Sequence, residues 1–145
     1  MRTLLLTCLI FSTCVTSFAQ TGASPLFTLL NSEETGITFR NDIEDTKEHN
    51  ILIYSNYYGG GGVGIGDINS DGLLDIYFAG NLVGDRLYLN KGNLEFEDIT
   101  QQAGIEDNGG WSSGVLFGDV NSDGHLDIYV TRELYDHQPE LRRNK

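Results

Sequence analysis

A nine-residue stretch occurs twice in this chain and limits the possible folds more than any other feature. The first copy is Asp67-Ile68-Asn69-Ser70-Asp71-Gly72-Leu73-Leu74-Asp75. The second, 52 residues later, is Asp119-Val120-Asn121-Ser122-Asp123-Gly124-His125-Leu126-Asp127. Each places oxygen-bearing side chains at positions 1, 3, 5 and 9. Hard cations such as calcium are bound by several oxygens converging on one point. A loop this short converges only if the chain turns sharply, and Gly72 or Gly124 at position 6 supplies the backbone freedom. Position 7 (Leu73, His125) would offer its main-chain carbonyl, which leaves its side chain free to vary. Without a cation, three clustered carboxylates are expected to repel one another and to raise their pKa values.

The flanks decide which kind of loop this is. A helix–loop–helix calcium site needs a bidentate Glu at position 12, where this chain has Phe78 and Val130. The flanking residues are β-branched and aromatic, so each loop is expected to join two strands. Val63 and Ile65 alternate with glycines before the first loop, and Ile76-Tyr77-Phe78-Ala79 follows it. Arg86 to Leu89 reads as a third strand, Asn90 to Asn93 as a hairpin turn and Leu94 to Ile99 as a fourth strand. Four short strands joined by tight turns make one antiparallel blade. A second unit starts at Trp111 and repeats the first two strands. Gly80-Asn81 and Gly84-Asp85 read as turn chemistry.

Upstream, the pattern is weaker. Phe27 to Ile37 and Phe96 to Ile105 share one phrase, an aromatic, then an apolar and polar stretch closing on Gly-Ile. Residues 38–50 read as an acidic surface loop and Ile51-Leu52-Ile53-Tyr54 as a short strand. Gly59 to Gly62 suggests close backbone approach. The expected fold is all-β, a partial β-propeller of about two and a half four-stranded antiparallel blades. Its units run over 59–105 and 111–145 within a domain of 27–145. A ring needs typically four to eight blades, so the chain is read as a fragment of a longer ring.

The first 19 residues read as an export signal: Arg2, an apolar run from Leu4 to Val15, and a small-x-small site at Ser17-Phe18-Ala19. The run is too short for a membrane span. Residues 20–26 read as a flexible leader. Cys8 and Cys14 are the two cysteines and both fall in the signal, so the mature chain has no disulfide. Thr13 before Cys14 fits lipidation poorly. Removing Arg2 with the signal leaves eight basic against 21 acidic residues, a net charge of −13. Such a surface repels nucleic acid and anionic membranes, so no nucleic-acid partner and no membrane span in the mature chain are expected.

The stretches Gly64-Ile65-Gly66-Asp67 to Tyr77 and Phe117-Gly118-Asp119 to Tyr129 resemble FG-GAP/VCBS repeats, the blades of integrin-α-like propellers. Leu87-Tyr88-Leu89-Asn90-Lys91-Gly92 and Phe96-Glu97-Asp98-Ile99-Thr100 resemble the exported bacterial branch related to the ASPIC/UnbV and cartilage acidic protein group. The first copy has Ile65-Gly66 where the family has Phe-Gly, a conservative change in an apolar slot. The resemblance implies two structural calcium sites, one at Asp67, Asn69, Asp71, Leu73 and Asp75, the other at Asp119, Asn121, Asp123, His125 and Asp127. It implies a secreted, cell-surface or periplasmic protein.

No nucleophile elbow, zinc-protease or phosphate-loop motif occurs, and His49, His125 and His137 share no ligand spacing. The chain is therefore read as non-enzymatic, with an extracellular protein or a glycan as partner in adhesion or surface assembly. A carbohydrate-binding module is the alternative, with Tyr57, Tyr58 and Trp111 as its aromatic candidates. A propeller enzyme with its active site in other blades is a third reading. Trp111 and Tyr88 are assigned first to blade core.

Overall fold

A computed structural model describes residues 25–105 and 111–133. The expected signal over 1–19, most of the leader, and residues 134–145 lie outside the described residues. Six strands and one short helix are present: α1 Ser32–Thr35, β1 Val63–Gly66, β2 Asp75–Phe78, β3 Arg86–Gly92, β4 Glu95–Asp98, β5 Trp111–Gly118 and β6 Asp127–Glu133. All pairings are antiparallel. The first sheet runs β1-β2-β3-β4 and the second pairs β5 with β6. The architecture is all-β, one complete four-stranded blade beside the first two strands of another, with no closed ring among the described residues.

The two units pack through the faces of their inner strands. Tyr77, Leu87 and Val130 form the buried cluster, and Ile68, Ile99, Ile105, Val115, Phe117 and Ile128 pack against it. Period-two alternation decides who takes part: along β2, Asp75 and Tyr77 are buried while Ile76 and Phe78 face the other way. β1 has glycine on the packed face for a steric reason. A side chain at Gly66 would come within 2.8 Å of Phe117 Cδ1 and 3.1 Å of Leu126 Cδ1, and one at Gly64 would overlap Phe117 and Val115. Gly62 lies equally close to Gly114, where an added Cβ would stand 2.9 Å from its Cα. The end of the glycine run, Gly61 against the Ala79 carbonyl and Gly62 against Gly114, thus marks close backbone approach, whereas Gly60 stands in open space.

On the opposite face of the first blade, segment 37–41 supplies the cover. Phe39 stacks on Phe78 at 4.9 Å, and Phe78 meets Tyr88 edge-on at 5.8 Å. The Tyr88 hydroxyl accepts from Thr38 N at 3.2 Å. Tyr88 and Trp111 are both buried, in keeping with their assignment to core.

Two local readings change. Residues 51–53 form a turn, not a strand. Asn50 overrides their β propensity: its Oδ1 accepts from Leu52 N and Ile53 N, and its carbonyl accepts from Tyr54 N. Ile51, Leu52 and Ile53 are consequently exposed. The β3–β4 hairpin turns at Asn93 and Leu94 rather than over 90–93, because a bulge between Asn90 and Gly92 carries β3 three residues further. Both turn residues are left-handed, φ 54° and 64°, as a two-residue hairpin of this hand requires. In the phrase shared by 27–37 and 96–105, residues 96–98 lie in β4, in keeping with the fourth-strand reading, and the remainder of each copy carries a helical turn. α1 is closed by a capping box between Asn31 and Glu34. Its counterpart is a turn in which Ala103 N donates to Ile99 O at 2.9 Å.

Candidate functional site

Each Asp-rich loop connects the first two strands of its unit, and each is built by its own side chains. In the first loop, Asp67 accepts from Asp71 N at 3.1 Å and from Gly72 N at 2.8 Å. Asn69 Oδ1 accepts from Asp71 N at 3.1 Å, and Asp71 Oδ1 accepts from Leu73 N at 2.8 Å. Asp75 Oδ2 reaches back across the loop to accept from Ile68 N at 3.0 Å. The second loop repeats the set. Asp119 accepts from Asp123 N at 3.1 Å and Gly124 N at 2.9 Å, and Asn121 from Asp123 N at 2.9 Å. Asp123 accepts from His125 N and Asp127 from Val120 N, each at 2.9 Å. The backbone agrees too: Ser70 and Ser122 have φ 61° and 62°, Gly72 and Gly124 have φ 85° and 88°.

These bonds answer the question of repulsion. The Asn69 amide and the Leu73 N–H hold the Asp71 carboxyl below its usual range. Backbone N–H groups, Gly124 first, do the same for Asp119, and His125 N with the Asn121 amide for Asp123. For Asp71, Asp119 and Asp123 the expected rise in carboxylate pKa is therefore overturned. Donors aimed at the carboxylates outweigh like-charge crowding in an exposed loop.

The donor set is chemically right for a hard cation: carboxylates, a carboxamide oxygen and a main-chain carbonyl at an exposed turn. Positions 1, 3 and 5 point inward, towards the loop's own N–H groups. Among the described residues, no three acidic, His or Cys side chains gather closely enough to hold a metal by themselves. A cation here would rely on Asn69 or Asn121 and on the position-7 carbonyl as well as the acids. The Asn69 amide now donates to Asp71 Oδ2 at 2.9 Å, and Asn121 to Asp123 Oδ2 at 3.0 Å. Each carboxylate oxygen carries a second lone pair, so ligation and the loop's hydrogen bonds are compatible. Asp75 differs from the rest. It is fully buried, and its Oδ1 also accepts from Asn90 N on β3 at 2.8 Å. It ties the loop to the blade whether or not a cation is bound.

Residues 67–130 match the FG-GAP-like repeat family. This stretch is an FG-GAP-like repeat. Cartilage acidic protein 1 of Homo sapiens is 36% identical over 74 residues, which cover 51% of this chain and 11% of that protein. Cartilage acidic protein 1 of Xenopus tropicalis is 34% identical over 88 residues, 61% of this chain and 14% of that protein. The chain thus spans little more than a tenth of the length of the curated relatives it matches. No solved structure matches it. Among the described residues no helix is long and apolar enough to cross a membrane.

The FG-GAP units are joined by a polar node that the residue pattern did not reveal. Asp85 is buried and accepts four hydrogen bonds: Gly80 N at 2.8 Å, the Tyr77 hydroxyl at 2.9 Å, Ser112 Oγ at 3.0 Å and Arg132 Nη2 at 3.1 Å. The Asp85–Arg132 ion pair is almost wholly withdrawn from water. Beside it, buried Asn81 donates to the Ser112 and Gly60 carbonyls at 3.1 and 3.3 Å, and its Oδ1 accepts from Asn41 at 2.6 Å. Burial, then the Asp85 charge, pushes the Tyr77 phenol well above its ordinary pKa. Asp85 and Asn81 had looked like turn residues. The one available signal was Arg132, a lone cation in the strand pattern that follows Asp127.

Proposed function

We propose that this chain is a non-enzymatic, extracellular FG-GAP repeat unit in which calcium, held once in each Asp-rich loop, fixes the turn between a blade's first two strands. Asp67, Asn69, Asp71, the Leu73 carbonyl and Asp75 would form one site. Asp119, Asn121, Asp123, the His125 carbonyl and Asp127 would form the other. The observation that carries this reading is the duplicated hydrogen-bond set, which aims equivalent oxygens the same way in two loops 52 residues apart. Two turns serving only as connectors have no need of three carboxylates in phase. Bound calcium would supply charge neutralisation, and the chain's own residues supply the frame: Asp75 anchors the loop to β3, and Gly72 and Gly124 allow the reversal.

The wider role is display of loops to another extracellular protein, in adhesion or surface assembly. The glycan reading is weaker on this geometry. Of its three aromatic candidates, Tyr57 and Trp111 are buried and only Tyr58 is exposed.

Extracellular calcium modules bind at roughly 10⁻⁴–10⁻³ M, and at ten times such a Kd each site adds about 1.4 kcal/mol. Two sites then raise the Tm by roughly 10 °C for a domain of this size. Melting curves in calcium and in chelator test this. Coincident curves, with no heat on calcium titration, would defeat the proposal.

A further inference from the structure

The two units differ in how the chain reaches its inner strand. Gly36-Ile37 and Gly104-Ile105 hold equivalent places, each glycine left-handed at φ 76° and 69°. From the second pair nine residues lead to Val115, whereas from the first 25 lead to its equivalent Val63, a surplus of 16. The extra chain forms a knot at the strand ends opposite the Asp-rich loops, where β1 and β5 begin and β6 stops. Asn50 ties the knot. Its Nδ2 donates to the Thr46 and Lys47 carbonyls at 2.8 and 3.2 Å, while its Oδ1 accepts from Leu52 N and Ile53 N. Two tyrosines then anchor it to the second unit. Tyr57 is buried with its ring 5.4 Å from that of Trp111, and the Tyr54 hydroxyl donates to Glu133. What this anchored knot presents to solvent is apolar: Ile51, Leu52 and Ile53 are 42%, 93% and 59% exposed.

We propose that this tip docks into an apolar pocket rimmed by lysine or arginine on another extracellular protein. The inference rests on the reading that the chain displays loops to such a partner, and it names the loop and the partner's chemistry. Three consecutive apolar side chains on a turn already tied by Asn50 have little backbone freedom left to lose on docking. Asp42, Glu44, Asp45 and Glu48 are all exposed in the same segment, with Lys47 as its one lysine. An apolar centre beside a cluster of acids is matched by a pocket of opposite charge. A second copy of this chain supplies that charge poorly, with nine Lys and Arg against 21 Asp and Glu. The same balance repels anionic membranes. The knot's place at the strand ends sets it apart from the sheet faces through which the units pack.

Two labelled amphipathic peptides test this by fluorescence anisotropy, one built of Leu and Lys, the other with Glu in place of Lys. The wild-type chain is expected to bind the first and not the second. Leu52→Ser should weaken binding about tenfold or more, the scale of one buried leucine at a contact centre. Leu52 is 93% exposed, so this variant folds, as a cooperative melt verifies. Glu44→Gln/Glu48→Gln should weaken binding less and flatten its dependence on salt. Binding unchanged in Leu52→Ser overturns the proposal and leaves display to other loops. Equal binding of both peptides overturns the charge assignment. Leu52-dependent binding to neutral phosphatidylcholine vesicles, with neither peptide bound, overturns it in favour of a lipid surface. Binding to none of the three probes overturns it outright, while melting curves in calcium and chelator judge the calcium reading separately.

Discussion

Asp85→Asn tests the interface between the two FG-GAP units most directly. The substitution preserves shape and removes one charge. Arg132, whose side chain is only 5% exposed, then becomes a buried cation without its anion, and its Nε has no hydrogen-bond partner among the described residues. Breaking a buried ion pair by removing one partner costs about 3–5 kcal/mol, a large share of the roughly 5–15 kcal/mol that holds a domain folded. Arg132→Met should cost less, because Asp85 keeps three donors: Gly80 N, Tyr77 and Ser112. The double variant Asp85→Asn/Arg132→Met removes both charges and should recover part of the loss. Its coupling energy should lie between about 0.5 and 3 kcal/mol, the range for residues in contact.

Urea unfolding followed by fluorescence suits the measurement. Trp111 is the single tryptophan and is buried at the start of β5, 5.4 Å from the Tyr57 ring. An alkaline titration gives a second readout. Tyr77 has a folded pKa raised by burial and by Asp85. Its neutral form therefore contributes stability below the unfolded value of about 10, and that contribution is lost as pH rises further. Asp85→Asn should bring Tyr77 ionisation to lower pH without returning it to the ordinary value, since burial remains. A cost for Asp85→Asn below about 1 kcal/mol, or a double variant as unstable as the two singles summed, would refute the reasoning.

Two other outcomes follow from the same geometry. The carboxyls of Asp71, Asp119 and Asp123 are held low by loop donors, so in metal-free protein their contribution is present above the unfolded value of about 4 and lost as pH falls through the folded values. Acid unfolding of Asp71→Asn/Asp123→Asn protein should show a shallower dependence on pH in that window, and an unchanged slope would count against it. Gly64→Ala should destabilise by about 1–3 kcal/mol through overpacking against Phe117 and Val115, while Gly118→Ala, with open space around it, should be close to neutral in thermal denaturation.

Much of this protein was legible residue by residue. The loops, the strands beside them and the blade order rest on contacts within a few positions. Asp67 bonds to Gly72 and Asp75 to Ile68, so spacing alone encodes the shape. Propensity misled where a local side chain competed with the backbone. Ile51 to Ile53 look like a strand, but Asn50 captures the Leu52 and Ile53 N–H groups.

The sequence by itself determined the doubled loop, its oxygen donors and the two-strand repeat around it. Only the tertiary structure decided what joins one unit to the next. Asp85 and Arg132 are 47 positions apart, and Asn81 and Asn41 are 40 apart. The first partnership exists only when the two sheets stack, the second only when segment 37–41 folds over the first blade. The physical reason is that a short-range pattern fixes hydrogen bonds along the chain, whereas burial assigns partners across it. A turn residue becomes a buried acid only after another unit has closed over it.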